Sequence, residues 1–168
     1  ANADLLTPAA ADQIAERHRR AREAEQQFGD FHSYVAAAMR KLTMAEVPEQ
    51  VWEQGADRCI ECGGCTFLCP TCSCFTVTDR WESRQQGLRE RHWDACTRNC
   101  YAREASGHNP RPELGDRLRA RFFHKISHQW AVRNGRQACV GCGRCVWSCM
   151  AWAHTPAVTE AIRRGVMK

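Results

Sequence analysis

The chain has 168 residues, with 24 Lys and Arg against 19 Asp and Glu, and twelve cysteines. Its length suits one domain with an appendage. No apolar run reaches the roughly 20 residues of a membrane-spanning helix, and the cysteine content is far above ordinary use and demands a chemical explanation.

From the N-terminus, Thr7-Pro8 reads as the cap and first position of a helix rich in Ala, Glu and Arg, running to about Phe28. Asp30 caps a second helix, with Phe31, Tyr34, Val35, Ala38, Met39 and Leu42 on one face. A short helix from Glu49 to Gly55 leads Trp52 into the first cysteine cluster. Residues 1–50 are thus expected to form an N-terminal helical segment. Its first helix has little apolar stripe and is expected to dock on a partner subunit.

Residues 51–168 carry the cysteines. Cys74 to Thr78 reads as a short extended piece, and residues 79–91 as a loop. Trp93 to Ser106 reads as a helix ending at Gly107. Glu113 to Val132 reads as another, with Leu114, Leu118, Phe122 and Ile126 on one face, stopping at Asn134-Gly135. Thr155-Pro156 starts a last helix that ends before Gly165. The class expected is mostly α, with loops around metal and a long helical insertion at residues 70–138 between the two cysteine motifs.

One stretch occurs twice. Cys59-x2-Cys62-x2-Cys65-x3-Cys69 returns 80 residues later as Cys139-x2-Cys142-x2-Cys145-x3-Cys149. Ile60 pairs with Val140, Gly63 with Gly143, and Phe67 with Trp147. Three cysteines at three-residue steps can wrap three corners of a cubane, while the fourth points away to the neighbouring cluster in two-cluster ferredoxins. The spacing therefore predicts two [4Fe-4S] clusters in a ferredoxin-like core. One is held by Cys59, Cys62, Cys65 and Cys149, the other by Cys139, Cys142, Cys145 and Cys69. Gly63, Gly64, Gly141 and Gly143 permit the tight turns that aim amides at sulfur. Zinc would favour paired C-x2-C knuckles separated by a longer loop, which is not the spacing here.

Disulfide scaffolds are small, secreted and loop-rich. Here the cysteines are clustered between helical stretches, and Ala1 to Leu6 lack the basic start and apolar run of a secretory leader. A soluble protein of the reducing cytoplasm is expected. The formal charge of +5 assumes neutral thiols. Two four-thiolate cubanes bring roughly −2 each, so the basic excess reads as compensation for the clusters, and no nucleic-acid partner is expected.

Cys72, Cys74, Cys96 and Cys100 stand outside the quartets. They either supply a third four-thiolate metal site or pack as small buried hydrophobes. Phe67 and Trp147 are expected to shield the clusters, and Trp52, Trp93 and Trp130 to be core. His124 and His128 share a helix face, without the acidic partner of a zinc-protease motif. Arg117, Arg119, Arg121 and Lys125 form a basic run that reads as a solvated face or as counter-charge to the clusters. No nucleophile, acid–base pair or phosphate loop is evident, so catalytic residues are not expected.

The string from Trp52 through the first quartet, Pro70-Thr71-Cys72-x-Cys74-Phe75, Arg91-x-Trp93-Asp94-x-Cys96, Gly107-His108-Asn109-Pro110-Arg111 and the second quartet resembles a known group. It is similar to the dicluster beta subunit of cytoplasmic [NiFe] sulfhydrogenases and to the related A subunit of anaerobic sulfite reductases. The resemblance covers residues 50–155. It implies a non-catalytic subunit that relays electrons between the catalytic subunits of a hydrogenase and a flavin-bearing, NAD(P)-linked subunit. A sulfite or sulfur reductase subunit and a free-standing ferredoxin-like shuttle are the alternatives. The family has a sizeable domain before the first quartet, where this chain has about fifty residues, and Cys100 is extra to its pattern.

Overall fold

A computed structural model describes residues 7–27 and 35–167. The expected cap Asp30, and Phe31 and Tyr34 of the second helix, lie outside the described residues, as do Ala1 to Leu6 and the expected helix end at Phe28. The chain divides into two units, Ala1–His32 and Ser33–Lys168. The boundary expected at residue 50 therefore falls inside the larger unit.

In the first unit, α1 (Ala11–Gln26) buries no residue. Its start lies past Thr7-Pro8, and the Ala10 amide is taken up by Gln13 Oε1 at 3.0 Å. Surface pairs along one side, such as Arg19 with Glu16 and Glu23, support it at helical spacing.

The larger unit is held by four helices around one apolar core. These are α2 (Val35–Thr43), α3 (Glu49–Arg58), α5 (Leu114–Ile126) and α8 (Thr155–Arg164). Ala38 and Leu42 of α2, Val51 and Trp52 of α3, Leu118, Phe122 and Ile126 of α5, and Val158, Ala161 and Ile162 of α8 form the core. Trp52 and Phe122 stack with ring centroids 6.4 Å apart. Full burial of a side chain such as Phe122 or Ile162 contributes roughly 1.5–3 kcal/mol. Cys59, Cys139 and Cys149 pack against this core, so the cluster motifs rest directly on the helical layer.

The connecting segment 70–138 departs from the helical expectation. β1 (Phe75–Trp81) and β2 (Gly87–Trp93) form an antiparallel hairpin, in register from Phe75 opposite Trp93 to Trp81 opposite Gly87. Residues 79–91, expected as a loop, supply half of it. The helix expected at Trp93–Ser106 is absent, and residues 94–112 run as consecutive turns and bends. Side chains intercept the groups a helix would use. Asp94 Oδ1 accepts the Ala95 amide at 2.7 Å, Asn109 Nδ2 donates to Asn99 O at 2.8 Å, and Arg117 Nε donates to Thr97 O at 3.0 Å. The single helix expected over Glu113–Val132 is broken at Ser127, which is extended and whose hydroxyl accepts the Trp130 amide. A separate α6 (His128–Asn134) follows and ends on left-handed Gly135.

Candidate metal centre

Each cysteine motif hangs between a left-handed turn and a short helical turn. α3 ends at Arg58, and the Cys59 amide closes onto Gly55 O and Ala56 O. The chain then takes positive φ at Glu61 (54°) and Gly63 (76°) before α4 (Gly64–Phe67). The second copy repeats this, with positive φ at Gly141 (67°) and Gly143 (76°) before α7 (Arg144–Ser148). Hydrogen bonds match as well. Thr66 and Phe67 amides donate to Gly63 O, and Val146 and Trp147 amides donate to Gly143 O. The sequence repeat is therefore a repeat of backbone conformation. It holds even at Glu61, which adopts in one copy what glycine adopts in the other.

The two motifs meet through α4 and α7, and two cavities open at their junction. One, of about 160 Å³, is lined by Cys69 together with Cys139, Cys142 and Cys145. Cys65 also reaches its wall. A narrower one is lined by Cys59, Cys62 and Cys65 together with Cys149. The narrower cavity thus receives three cysteines of the first motif and one of the second, and the larger three of the second and two of the first. The larger has more than ten times the space that one water needs, on the order of 10–15 Å³. Among the described residues, no group of three or more His, Cys, Asp or Glu side chains closes around a single ion. Two sets of cysteines at this spacing, on this backbone, are a donor set that suits iron–sulfur clusters.

The basic run on α5 is turned inward. Arg117, Arg121 and Lys125 are each only 3% exposed, which removes the solvated-face reading for them. Lys125 Nζ donates to Cys69 Sγ at 3.2 Å, Thr71 Oγ1 at 3.2 Å and Ala138 O at 3.1 Å. Arg121 donates to Thr66 Oγ1 at 3.2 Å and Cys65 O at 3.1 Å. Arg117 Nη2 pairs with Glu61 Oε1 at 2.8 Å, inside the first motif. Arg119 is exposed enough to pair with Glu49 at the surface.

These surroundings set the sulfur chemistry. Burial pushes the Cys65 thiol up to about 11, against the pull of Arg121, and burial also raises Cys59, with Cys149 and Cys62 close enough to add to the effect. Any metal or cluster bound at these sulfurs would have to displace the protons they hold. Burial works against the charge of Lys125, yet Cys72 and Cys69 more than offset it and hold the ammonium protonated.

Of the four cysteines outside the quartets, three come together. Cys74 is buried and lies within hydrogen-bonding reach of both Cys72 and Cys96. Its thiol, then Lys125 and Arg121, hold Cys72 down to about 4 despite burial. The same thiol, with Arg121 and Thr66, holds Cys96 down to about 6. Cys100 is exposed. The basic run read from the sequence already held Arg121 and Lys125, with counter-charge as one of its two readings, but did not separate them from exposed Arg119. Their spacing of four on a helix, with Arg117 one turn before, was the available signal.

The aromatics divide differently from expectation. Trp147 is 95% exposed and only borders an open groove beside Cys142, whereas Phe67 is half-covered beneath Arg98. Trp52 is core and Trp93 is exposed. His124 stacks edge-on against Trp130, with centroids 3.7 Å apart, and His128 is exposed. The structure does not bring the two histidines into a metal site.

Comparison with known proteins gives a consistent family. The 4Fe-4S dicluster domain family matches residues 58–153, and a second family of the same description matches residues 20–72. A curated relative is sulfhydrogenase 2 subunit beta of Pyrococcus furiosus, 37% identical over 118 residues, which are 70% of this chain and 34% of the relative. The chain thus spans about a third of that relative's length. No solved structure matches. No helix among the described residues is long and apolar enough to cross a membrane.

Proposed function

This chain belongs to the 4Fe-4S dicluster domain family, and on that premise we propose that it is the iron–sulfur electron-transfer subunit of a multisubunit, hydrogenase-type oxidoreductase. Its two [4Fe-4S] clusters are held by Cys59, Cys62, Cys65 and Cys149, and by Cys139, Cys142, Cys145 and Cys69. The observation that carries this reading is that the fourth cysteine of each motif lines a cavity with the first three of the other, Cys69 with Cys139, Cys142 and Cys145, and Cys149 with Cys59, Cys62 and Cys65. Each cubane supplies a one-electron couple. The protein holds the two close together, because each motif ligates both. Buried Arg121 and Lys125 offset cluster charge without admitting water. The shared ligation also ties residues 59–69 to 139–149, so metal closes the connecting segment.

The relative's name supports a hydrogenase complex. In that setting the chain passes electrons between a catalytic partner and a flavin-bearing, NAD(P)-linked one, in the cytoplasm. A sulfite or sulfur reductase complex and a free shuttle would use the same two clusters. Anaerobic purification from the native host tests the proposal. The expected result is a brown protein that shows a reduced cubane EPR signal and co-purifies with a hydrogenase. A colourless protein, or one lacking that signal, contradicts the cluster reading. A brown protein that purifies alone contradicts the subunit reading.

A further inference from the structure

Two residues line both cavities at the junction of the motifs, Cys65 and Arg121. Arg121 Nη2 donates to Cys65 O at 3.1 Å, so the pair forms one piece of wall where the two sites abut. Cys65 stands there as a ligand. Arg121 has no sulfur to offer, and its place in that wall needs another reason.

α5 brings it there. Arg117, Arg121 and Lys125 follow one another at steps of four, beside the core residues Leu118, Phe122 and Ile126. All three are buried, but they meet different surroundings. Arg117 is matched by the Glu61 carboxylate. Lys125 lines the larger cavity and not the narrower one. Arg121 lines both, and its hydrogen bonds go to neutral acceptors, Thr66 Oγ1 at 3.2 Å and Cys65 O. Among the described residues no carboxylate pairs with it. A guanidinium stays charged at any working pH, and a buried charge without counter-charge is costly. Negative charge on sulfur-held clusters on both sides of the wall would balance it. Burial also keeps salt from screening it.

We propose that Arg121 is the shared electrostatic control of the two clusters, one positive charge in their common wall that raises both reduction potentials in step. This rests on the two-cluster reading. Reduction adds negative charge to each cluster, and a nearby cation favours each addition. The charge acts on each reduction separately and leaves the repulsion between the two added electrons as it was. It therefore sets the level of the pair while the step from one cluster to the other keeps its size. Lys125, which meets one cavity, changes that step instead.

The test is EPR-monitored potentiometry of the anaerobically purified holoprotein, with iron and sulfide per chain, for wild type, Arg121→Gln, Arg121→Lys and Arg119→Gln. Arg121→Gln should keep its iron and lower both midpoints by similar amounts. Arg121→Lys keeps the charge and loses the fork to Thr66 and Cys65, and it should bring both midpoints back toward wild type. Arg119→Gln, on the same helix but at the surface, should move neither. Should Arg121→Gln fail to accumulate, Thr66→Asp sets a carboxylate against the guanidinium and should lower both midpoints likewise. A fall in one midpoint alone, no fall in either, or an equal fall in Arg119→Gln would overturn the proposal. A lysine variant as low as the glutamine one would assign the effect to the hydrogen bonds and overturn it as well. Wild-type protein without two reducible clusters would instead overturn the two-cluster reading, and the proposal with it.

Discussion

The Lys125 ammonium donates to the Cys69 sulfur across 3.2 Å, from a helix that contains no cysteine. A donor and a positive charge at a ligand sulfur favour the reduced cluster, which carries more negative charge, and so raise its potential. Lys125→Met should make one cluster more negative and leave the other nearly unmoved. A charge-assisted bond of about 1.5–2 kcal/mol corresponds to a shift on the order of 60–90 mV for a one-electron couple. EPR-monitored potentiometry checks this, and equal shifts of both clusters would speak against it.

Gly63 and Gly143 share a motif position and a φ of 76° but not surroundings. A Cβ on Gly63 would sit 2.7 Å from the Phe67 ring and 2.9 Å from Ala95 Cβ, whereas one on Gly143 meets nothing within 4 Å. Gly143→Ala should cost only the left-handed strain, roughly 1–2 kcal/mol. Gly63→Ala should add overpacking of roughly 1–3 kcal/mol. Anaerobic denaturant unfolding of the two variants gives the comparison, and equal losses would contradict it.

That contrast shows what the sequence makes legible. The quartets, their glycines and the helices α3, α5 and α8 follow from spacing and periodicity, because local patterns determine them. Trp147 looked equivalent to Phe67 because the repeat says nothing about what lies over each ring. The first strand is partly legible, since Cys74 to Thr78 reads as extended, but the return strand Gly87–Trp93 is polar and exposed along almost its whole length and carries no apolar alternation. The stretch 94–106 has helix-forming composition, but the Ala95 amide is captured by its neighbour Asp94, and the Asn99 and Thr97 carbonyls by Asn109 and Arg117 further along the chain. Hydrophobic periodicity does not report such side-chain captures.

Arg117 is the clamp of that turn-rich stretch. It bonds to Thr97 O at 3.0 Å, Arg111 O at 3.1 Å and Pro112 O, and it pairs with Glu61 between two cluster cysteines. Arg117→Met should destabilise the protein by roughly 3–5 kcal/mol, since it leaves buried acceptors and a half-buried carboxylate unpaired. Arg117→Lys should rescue little, because one ammonium cannot span the fork. Unfolding midpoints of the holoprotein measure both, and full rescue by lysine would contradict the clamp.

His154 caps α8 in its neutral form. Its Nδ1 accepts the Ala157 amide at 3.2 Å, while Nε2 is buried without a partner among the described residues. Burial holds its pKa below the ordinary 6.5. The stabilisation is therefore fully present above about 6.5 and is lost as pH falls toward the folded value. The cap is worth about 1 kcal/mol. Thermal melts from pH 7 to 5 should show falling stability. His154→Ser, which can cap without titrating, should flatten the slope, leaving the part due to His124, also held low by burial. An unchanged slope would contradict the assignment.

The central claim is that the motifs exchange their fourth ligands, and paired substitutions test it most directly. Cys69→Ala and Cys142→Ala should disturb the same cluster, so the double variant should show no greater loss of reduced EPR spins than either single one. Cys69→Ala combined with Cys62→Ala should remove both. If instead Cys69→Ala adds nothing to Cys62→Ala and adds fully to Cys142→Ala, each motif completes its own cluster and the exchange is wrong.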